Sequence, residues 1–250
     1  LAGVGATQEY EAIFNHRGNA YAEAMQRYPN ARDAEFRNLF RHVDTAALRT
    51  VADIPSGSGY LAAWLPAGVA LDAYDPTVAF RSHGIGVHPV DLHAPVLARR
   101  DYDLVVCLAA LHHVEDKATF FDAVVGHVRP GGRIVLADIA ASSKLVPFLD
   151  GFIGRHNGTG HDGMYFDADS PFDFGASHPR VREAVVETLA CPWHFPDRAA
   201  MIEFSALLFG AANAEAAATE RAIAEHVGIL DTGDGVAMDW ELTYITATLG

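Results

Sequence analysis

Between residues 50 and 140 the chain sets down five short apolar runs, at 50–54, 69–74, 86–90, 103–108 and 133–137, separated by stretches long enough for helices. The runs are largely continuous rather than alternating, the pattern of strands buried on both faces. Strands of that kind joined by helical crossovers pair in parallel, with helices packed on both sides of the sheet. The expected fold is therefore α/β, Rossmann-like and doubly wound. The clearest crossover helix is 116–128, where Phe120, Phe121, Val124, Val125 and Val128 make one apolar stripe before Pro130-Gly131-Gly132 stops it.

The flanking regions read differently. From residue 8 to 43, Tyr10, Ile13, Phe14, Tyr21, Met25, Phe36, Leu39 and Phe40 recur at helical spacing with a break at Tyr28-Pro29, which predicts an N-terminal helical cap over 1–45. The core spans 46–140. Residues 141–235 read as a lid and helical pocket region, with a Gly-, His- and Asp-rich stretch at 155–167 and helices near 179–189, 196–210 and 214–226. Residues 240–248 are β-branched and aromatic, and predict an edge or near-edge strand within a terminal segment, 236–250, that completes the sheet.

Charge and cysteine usage remove several functions. With 18 Lys+Arg against 32 Asp+Glu the net charge is −14, which repels nucleic acid and anionic membrane surfaces. Neither partner is expected. Cys107 and Cys191 have no metal-ligand spacing, so neither a metal nor a disulfide is predicted, and a reducing cytoplasm is the default. The longest apolar run, near 104–111, is far shorter than a membrane span. The sequence begins at Leu1 and leaves a removed targeting segment open.

The chemistry concentrates in Val51-Ala-Asp-Ile-Pro-Ser-Gly-Ser-Gly-Tyr60, a strand running into a small-residue turn and then a helix. Open α/β sheets bind ligands at such strand ends. Gly57-x-Gly59-x-x-Ala62 satisfies the dinucleotide fingerprint, and Asp75 comes at the end of the second strand, where an acid holds a ribose diol. A nicotinamide-dependent oxidoreductase is one reading of these residues.

Other features point to a different cofactor. Asp53-Ile-Pro-Ser-Gly-Ser-Gly59, Val90-Asp91-Leu92, the run from Asp103 to Val114 ending in Leu111-His112-His113, and the run from Val128 to Leu136 occur in that order. In this ordered set the chain resembles the class I S-adenosylmethionine-dependent methyltransferases, in their small-molecule, type 11 or UbiE-like group. It departs from the D-x-G-x-G-x-G motif at Pro55, which suits the second position of a type I turn over 54–57 and removes one amide donor. The resemblance implies a mostly parallel seven-stranded sheet and a cofactor site of Asp53, Ser56, Gly57, Ser58, Gly59, Asp75, Pro76, Asp91, Leu92 and Leu108.

It further implies methyl transfer by in-line displacement to a nitrogen, oxygen or sulfur of a small-molecule acceptor. His113 and His112, just past the fourth strand, are the candidate catalytic residues, His113 the better sited as base. Tyr10, Phe14, His16, Arg17 and Tyr21 of the cap are candidate acceptor contacts. So are His156, His161 and Tyr165, on a segment whose glycines would let it move as a lid. A protein that binds S-adenosylmethionine without turnover shares the same cofactor elements and is the remaining alternative.

Overall fold

The computed structural model describes residues 10–81 and 86–250. One seven-stranded sheet organises the chain, in the order β3-β2-β1-β4-β5-β10-β6. Its strands are β1 (Thr50–Asp53), β2 (Ala70–Tyr74), β3 (Val87–His88), β4 (Tyr102–Leu108), β5 (Val128–Asp138), β6 (Val181–Ala190) and β10 (Glu241–Leu249). The first five pair in parallel, whereas β10 runs antiparallel to both β5 and β6. The continuous apolar runs are explained by two separate cores. Leu104 and Val106 of β4 face one with Val135 and Ala137 of β5, and Val105 and Cys107 face the other with Ile134 and Leu136.

Helices cover both faces: α1 (Tyr10–Arg27), α2 (Asp33–Leu39), α3 (Val78–Arg81), α4 (Lys117–Val125), α5 (Gly154–His156), α6 (Asp173–Ala176), α7 (Arg198–Phe209) and α8 (Ala216–Ala222). α4 starts at Asp116, whose carboxylate caps the amide of Thr119 at 2.9 Å. It ends at Val125, earlier than expected, and Pro130-Gly131-Gly132 lies inside β5. There the register against β4 shifts between Tyr102 and Leu104. A Cβ at Gly132 would stand 2.6 Å from Val128 Cγ1, so the three residues shape a bulge rather than a helix stop.

Two elements depart further from the sequence reading. The helix expected near 179–189 is the edge strand β6, whose side chains alternate between half-buried and exposed along its second half. Its 181/185/189 apolar spacing fits a helix, and the ladder with β10 selects the strand instead. The sequence pattern also does not predict the second sheet, formed by β7 (Trp193–Phe195), β9 (Gly235–Met238) and β8 (Ile229–Thr232). The terminal strand is next to the edge, as expected.

α2 is fastened to this second sheet by a buried ion pair. Arg32 donates from Nε to Glu35 Oε2 at 2.8 Å, and Glu35 Oε1 accepts from Trp193 Nε1 at 2.7 Å. Glu35 is fully buried and Arg32 is 5% exposed, so each charge depends on the other for compensation. Glu35→Ala is expected to cost about 3–5 kcal/mol by leaving the guanidinium buried alone, and the paired replacement Arg32→Met/Glu35→Leu much less. Urea denaturation of the variants checks this; a Glu35→Ala cost no larger than that of the pair would contradict it.

Candidate active site

The strand order reverses between β1 and β4, and the carboxyl ends of these two strands flank the main cavity. The cavity is partly open to solvent. Asp53, Ser56 and Gly57 line it from β1 and the adjoining turn, and Leu108, Ala109 and Ala110 from the end of β4. Ala109 adopts φ 53°, a left-handed conformation that costs a residue with a Cβ, and its amide is fixed to Ala137 O at 2.7 Å.

The turn itself differs from the expected one. The Ile54–Pro55 peptide is cis, and the tight turn lies beyond it, closed by the Gly59 amide on Ser56 O at 2.9 Å. Gly57 and Gly59 take φ 54° and 80°, which accounts for glycine at both. The turn leads into a short 3₁₀ helix, Tyr60–Trp64, rather than an α-helix. Ser56 N–H donates to Tyr74 O at 2.8 Å and ties the turn to β2.

Two buried acids stand at this junction. Asp75 Oδ2 accepts from Gly57 N–H at 2.9 Å and from the Tyr10 hydroxyl at 3.1 Å, and Oδ1 accepts from Thr77 N–H at 2.7 Å. Burial pushes its carboxyl up to about 6, against the pull of these donors. Asp53 is 5% exposed and faces the cavity. Burial, with Asp75 adding to it, raises its carboxyl well above the usual range, and no cation neutralises it among the described residues.

A second cavity adjoins the first and shares Tyr10 and His113 with it. Pro76, Asp91 and Leu92 line it, and exposed Asp91 accepts from the His93 amide at 2.8 Å. Of the expected cofactor residues, Asp53, Ser56, Gly57 and Leu108 line the first cavity and Pro76, Asp91 and Leu92 the second. Ser58, Gly59 and fully buried Asp75 line neither.

The acceptor candidates are sorted in the same way. Tyr10, Phe14, Arg17, Tyr21 and His161 line the main cavity, together with His112 and His113. His16 does not; it is exposed on the outer face of α1. His156 is held at Phe152, its Nδ1 2.8 Å from the carbonyl oxygen, and Tyr165 donates to Asp150 Oδ1 at 2.6 Å. Neither lines the cavity, because both are turned onto the helix preceding the lid. That lid is itself tied down, with Met164 N–H on His112 O at 2.8 Å and Phe166 N–H on Ile139 O at 3.0 Å.

Sequence reasoning missed much of the wall. Trp193, Phe209, Trp240 and Leu242 come from the C-terminal half, and Arg32, Glu35 and Phe36 from α2 and its lead-in. It also missed two carboxylates behind the histidines: Asp138 Oδ1 lies 2.8 Å from His112 Nδ1, and Asp150 Oδ1 lies 2.7 Å from His161 Nδ1. Asp138, an acid at the buried end of β5, carried a readable signal; Asp150 carried none. Burial, then His112 and His161, hold His113 well below its ordinary pKa, so its ring is neutral. Arg17, 9% exposed, donates from Nη1 to Phe209 O at 2.7 Å, its Nε has no partner among the described residues, and burial pushes it down to about 10.

Comparison with known proteins decides what this site serves. Residues 16–190 match the model of a methyltransferase domain. The chain belongs to that methyltransferase family. The match sets aside the oxidoreductase reading: this methyltransferase is an enzyme of the S-adenosylmethionine-dependent class. A ubiquinone biosynthesis O-methyltransferase of Rickettsia felis is 26% identical over 113 residues, 41% of this chain and 46% of that protein, so the match spans about half of the relative's length. Two solved structures share the methyltransferase's fold. An S-adenosylmethionine-dependent methyltransferase from Thermotoga maritima superposes with a TM-score of 0.62 at 12% identity, over 95% of this chain and 98% of that one. The Haemonchus contortus phosphoethanolamine N-methyltransferase 2, solved with phosphomonomethylethanolamine and S-adenosylhomocysteine, gives 0.57 at 11%, over 96% and 60%. S-adenosylmethionine carries an ammonium and a sulfonium, and uncompensated Asp53 at the end of β1 fits such a cation. No helix among the described residues is long and apolar enough to cross a membrane.

The raised Asp75 carboxyl has a measurable signature. The folded chain keeps this proton between about 3.8 and about 6, where the unfolded chain has lost it. Folded-state binding of a proton means that the wild type loses stability relative to Asp75→Asn as pH rises through that window, by about 3 kcal/mol in all. Urea denaturation of both proteins across the window checks the slope; a flat or opposite difference would contradict the burial argument.

Proposed function

We propose that the enzyme transfers the methyl group of S-adenosylmethionine to a hydroxyl, or failing that a nitrogen or sulfur, of a small and mainly apolar acceptor that carries one anionic or carbonyl oxygen. The observation that carries this reading is the composition of the main cavity. Phe14, Tyr21, Phe80, Trp193, Phe209 and Trp240 make its walls aromatic, while buried Arg17 leaves one donor unused at its edge. An acceptor oxygen on Arg17 would satisfy that donor. The preference for a hydroxyl draws on the Rickettsia felis relative, which is named as an O-methyltransferase.

In this reading Asp53 takes the cofactor's ammonium and the backbone of Ser56, Gly57, Ser58 and Gly59 tracks its methionine part beside Leu108. Asp75 takes the ribose hydroxyls, with Tyr10 yielding or sharing Oδ2. Pro76, Asp91 and Leu92 enclose the adenine. The cap, expected over 1–45 and described from Tyr10, and the 141–235 region close over the described part of the 46–140 core, with 236–250 adding the last strand, and so exclude water from the acceptor. The buried thiols of Cys107 and Cys191 fit a reducing, cytoplasmic setting.

The cofactor, when bound, supplies an activated methyl with a neutral thioether as leaving group. The chain then has to align the acceptor atom with the methyl carbon and deal with the acceptor's proton. The histidines His112, His113 and His161 on the cavity wall are the groups placed for the second task.

Asp75→Ala is expected to weaken S-adenosylhomocysteine binding by about 1.5–3 kcal/mol without unfolding the protein. Unchanged affinity in calorimetry would remove Asp75 from the site. His113→Ala should lower the maximal rate by a factor of about 10² to 10⁴ with cofactor affinity nearly intact. The whole reading is tested by supplying labelled S-adenosylmethionine and a metabolite extract. Label is expected in a small apolar product, and label recovered only in protein or nucleic acid would overturn it.

A further inference from the structure

His112, His113 and His161 each turn a ring nitrogen toward a common point, and the three nitrogens lie within 4.8 Å of one another. Two come from the 3₁₀ turn Leu111–His113 after β4, and the third from the lid more than forty residues away in sequence. Ring centroids separate by 4.1 Å for His112 and His113, 5.4 Å for His112 and His161, and 5.8 Å for His113 and His161.

The cluster is costly as it stands. Three imidazoles crowd their ring nitrogens together in a largely buried cavity, and protonating all of them would place like charges side by side. A single cation at the common point relieves all three.

The carboxylates behind the rings argue for the same occupant. Asp138 lies 2.8 Å from His112 Nδ1 and Asp150 lies 2.7 Å from His161 Nδ1. A carboxylate in that position accepts from a proton-bearing Nδ1–H and leaves Nε2 of His112 and of His161 as the free lone pair. A ligating histidine whose other nitrogen donates to a carboxylate is the usual outer arrangement of a metal site. Here it occurs twice around one point.

We propose that His112, His113 and His161 form a binding site for one divalent cation of the zinc type. Three imidazoles and no carboxylate in the inner set suit zinc or cobalt, whereas magnesium and calcium require oxygen ligands. Zinc–nitrogen bonds of about 2.0–2.1 Å require the side chains to close by roughly an ångström. A fourth position remains open toward the main cavity, whose wall all three histidines share. The binding of the cation is independent of the transfer reading. Its use does rest on that reading: it would lower the pKa of an acceptor hydroxyl or thiol, the proton leaving to solvent before the methyl arrives.

The test is titration of the full-length, metal-stripped protein with cobalt(II), read by visible absorption, and with zinc(II), read by calorimetry. One equivalent is expected, with the intense absorption of a low-coordinate cobalt site. His161→Ala should weaken binding by at least about 100-fold, and Asp150→Asn, which keeps all three ligands, by about 10- to 100-fold. His16→Ala, on the exposed face of α1, should change nothing. Absence of stoichiometric binding, or binding that neither His161→Ala nor Asp150→Asn weakens, would overturn the site. Calorimetry with S-adenosylhomocysteine on the same wild-type sample keeps the two readings apart. Cofactor binding without cobalt binding removes the metal site alone, and cobalt binding without cofactor binding removes the transfer reading alone.

Discussion

Two oxygens of Asp75 hold together three parts of the chain that are far apart in sequence: the start of α1 through Tyr10, the glycine turn through Gly57, and the end of β2 through Thr77. The carboxyl is completely buried, and Asp53 stands close enough for each acid to disfavour the other's charge. A structure that needed only to fold would gain by replacing one of them. Keeping both makes the strand ends electrostatically incomplete, and a ligand with hydroxyls and a positive charge completes them. On the proposed reading the cofactor site and the docking of the cap meet at one carboxylate, where a ribose would compete with Tyr10 for the same oxygen or share it.

The remainder of the architecture serves to enclose that point. Burial of the parallel strands on both faces fixes where β1 and β4 end, and the reversal of strand order opens the crevice between them. The C-terminal half closes it with aromatic surface, and the Arg32–Glu35–Trp193 connection holds α2 and the small sheet against one another beside the acceptor space. A wall of that kind excludes water from a methyl transfer and leaves polarity in a few places: Arg17, the three histidines and the acids.

The central sheet was legible in the sequence because continuous apolar runs have one simple explanation, burial on both faces. The turn from Asp53 to Gly59 was legible because only certain residues tolerate its backbone, although it closes from Ser56 to Gly59 rather than over 54–57. Elsewhere the deciding interaction is distant. Residues 181–189 carry apolar residues at helical spacing, and pairing with β10 selects the strand. The β8–β9 hairpin has a local signal in Thr232-Gly-Asp-Gly235, but glycines there fit the end of a helix as well as a hairpin turn. Among site residues, the apolar face of α1 separates Phe14 and Arg17 from exposed His16, a distinction available from periodicity. The partnership of His112 with Asp138 and of His161 with Asp150 was not available, since it depends on how the lid crosses the ends of β4 and β5.

The central claim is that the paired acids at the strand ends receive an adenosyl sulfonium and not a nicotinamide dinucleotide. Thermal unfolding with each ligand tests it most directly, because any ligand that binds only the folded chain stabilises it by mass action. S-adenosylhomocysteine and S-adenosylmethionine at about a hundred times their dissociation constants should each add about 2.7 kcal/mol and raise the melting temperature, while NAD and NADP leave it unchanged. A rise with NAD or NADP and none with the sulfonium or its demethylated product would contradict the account.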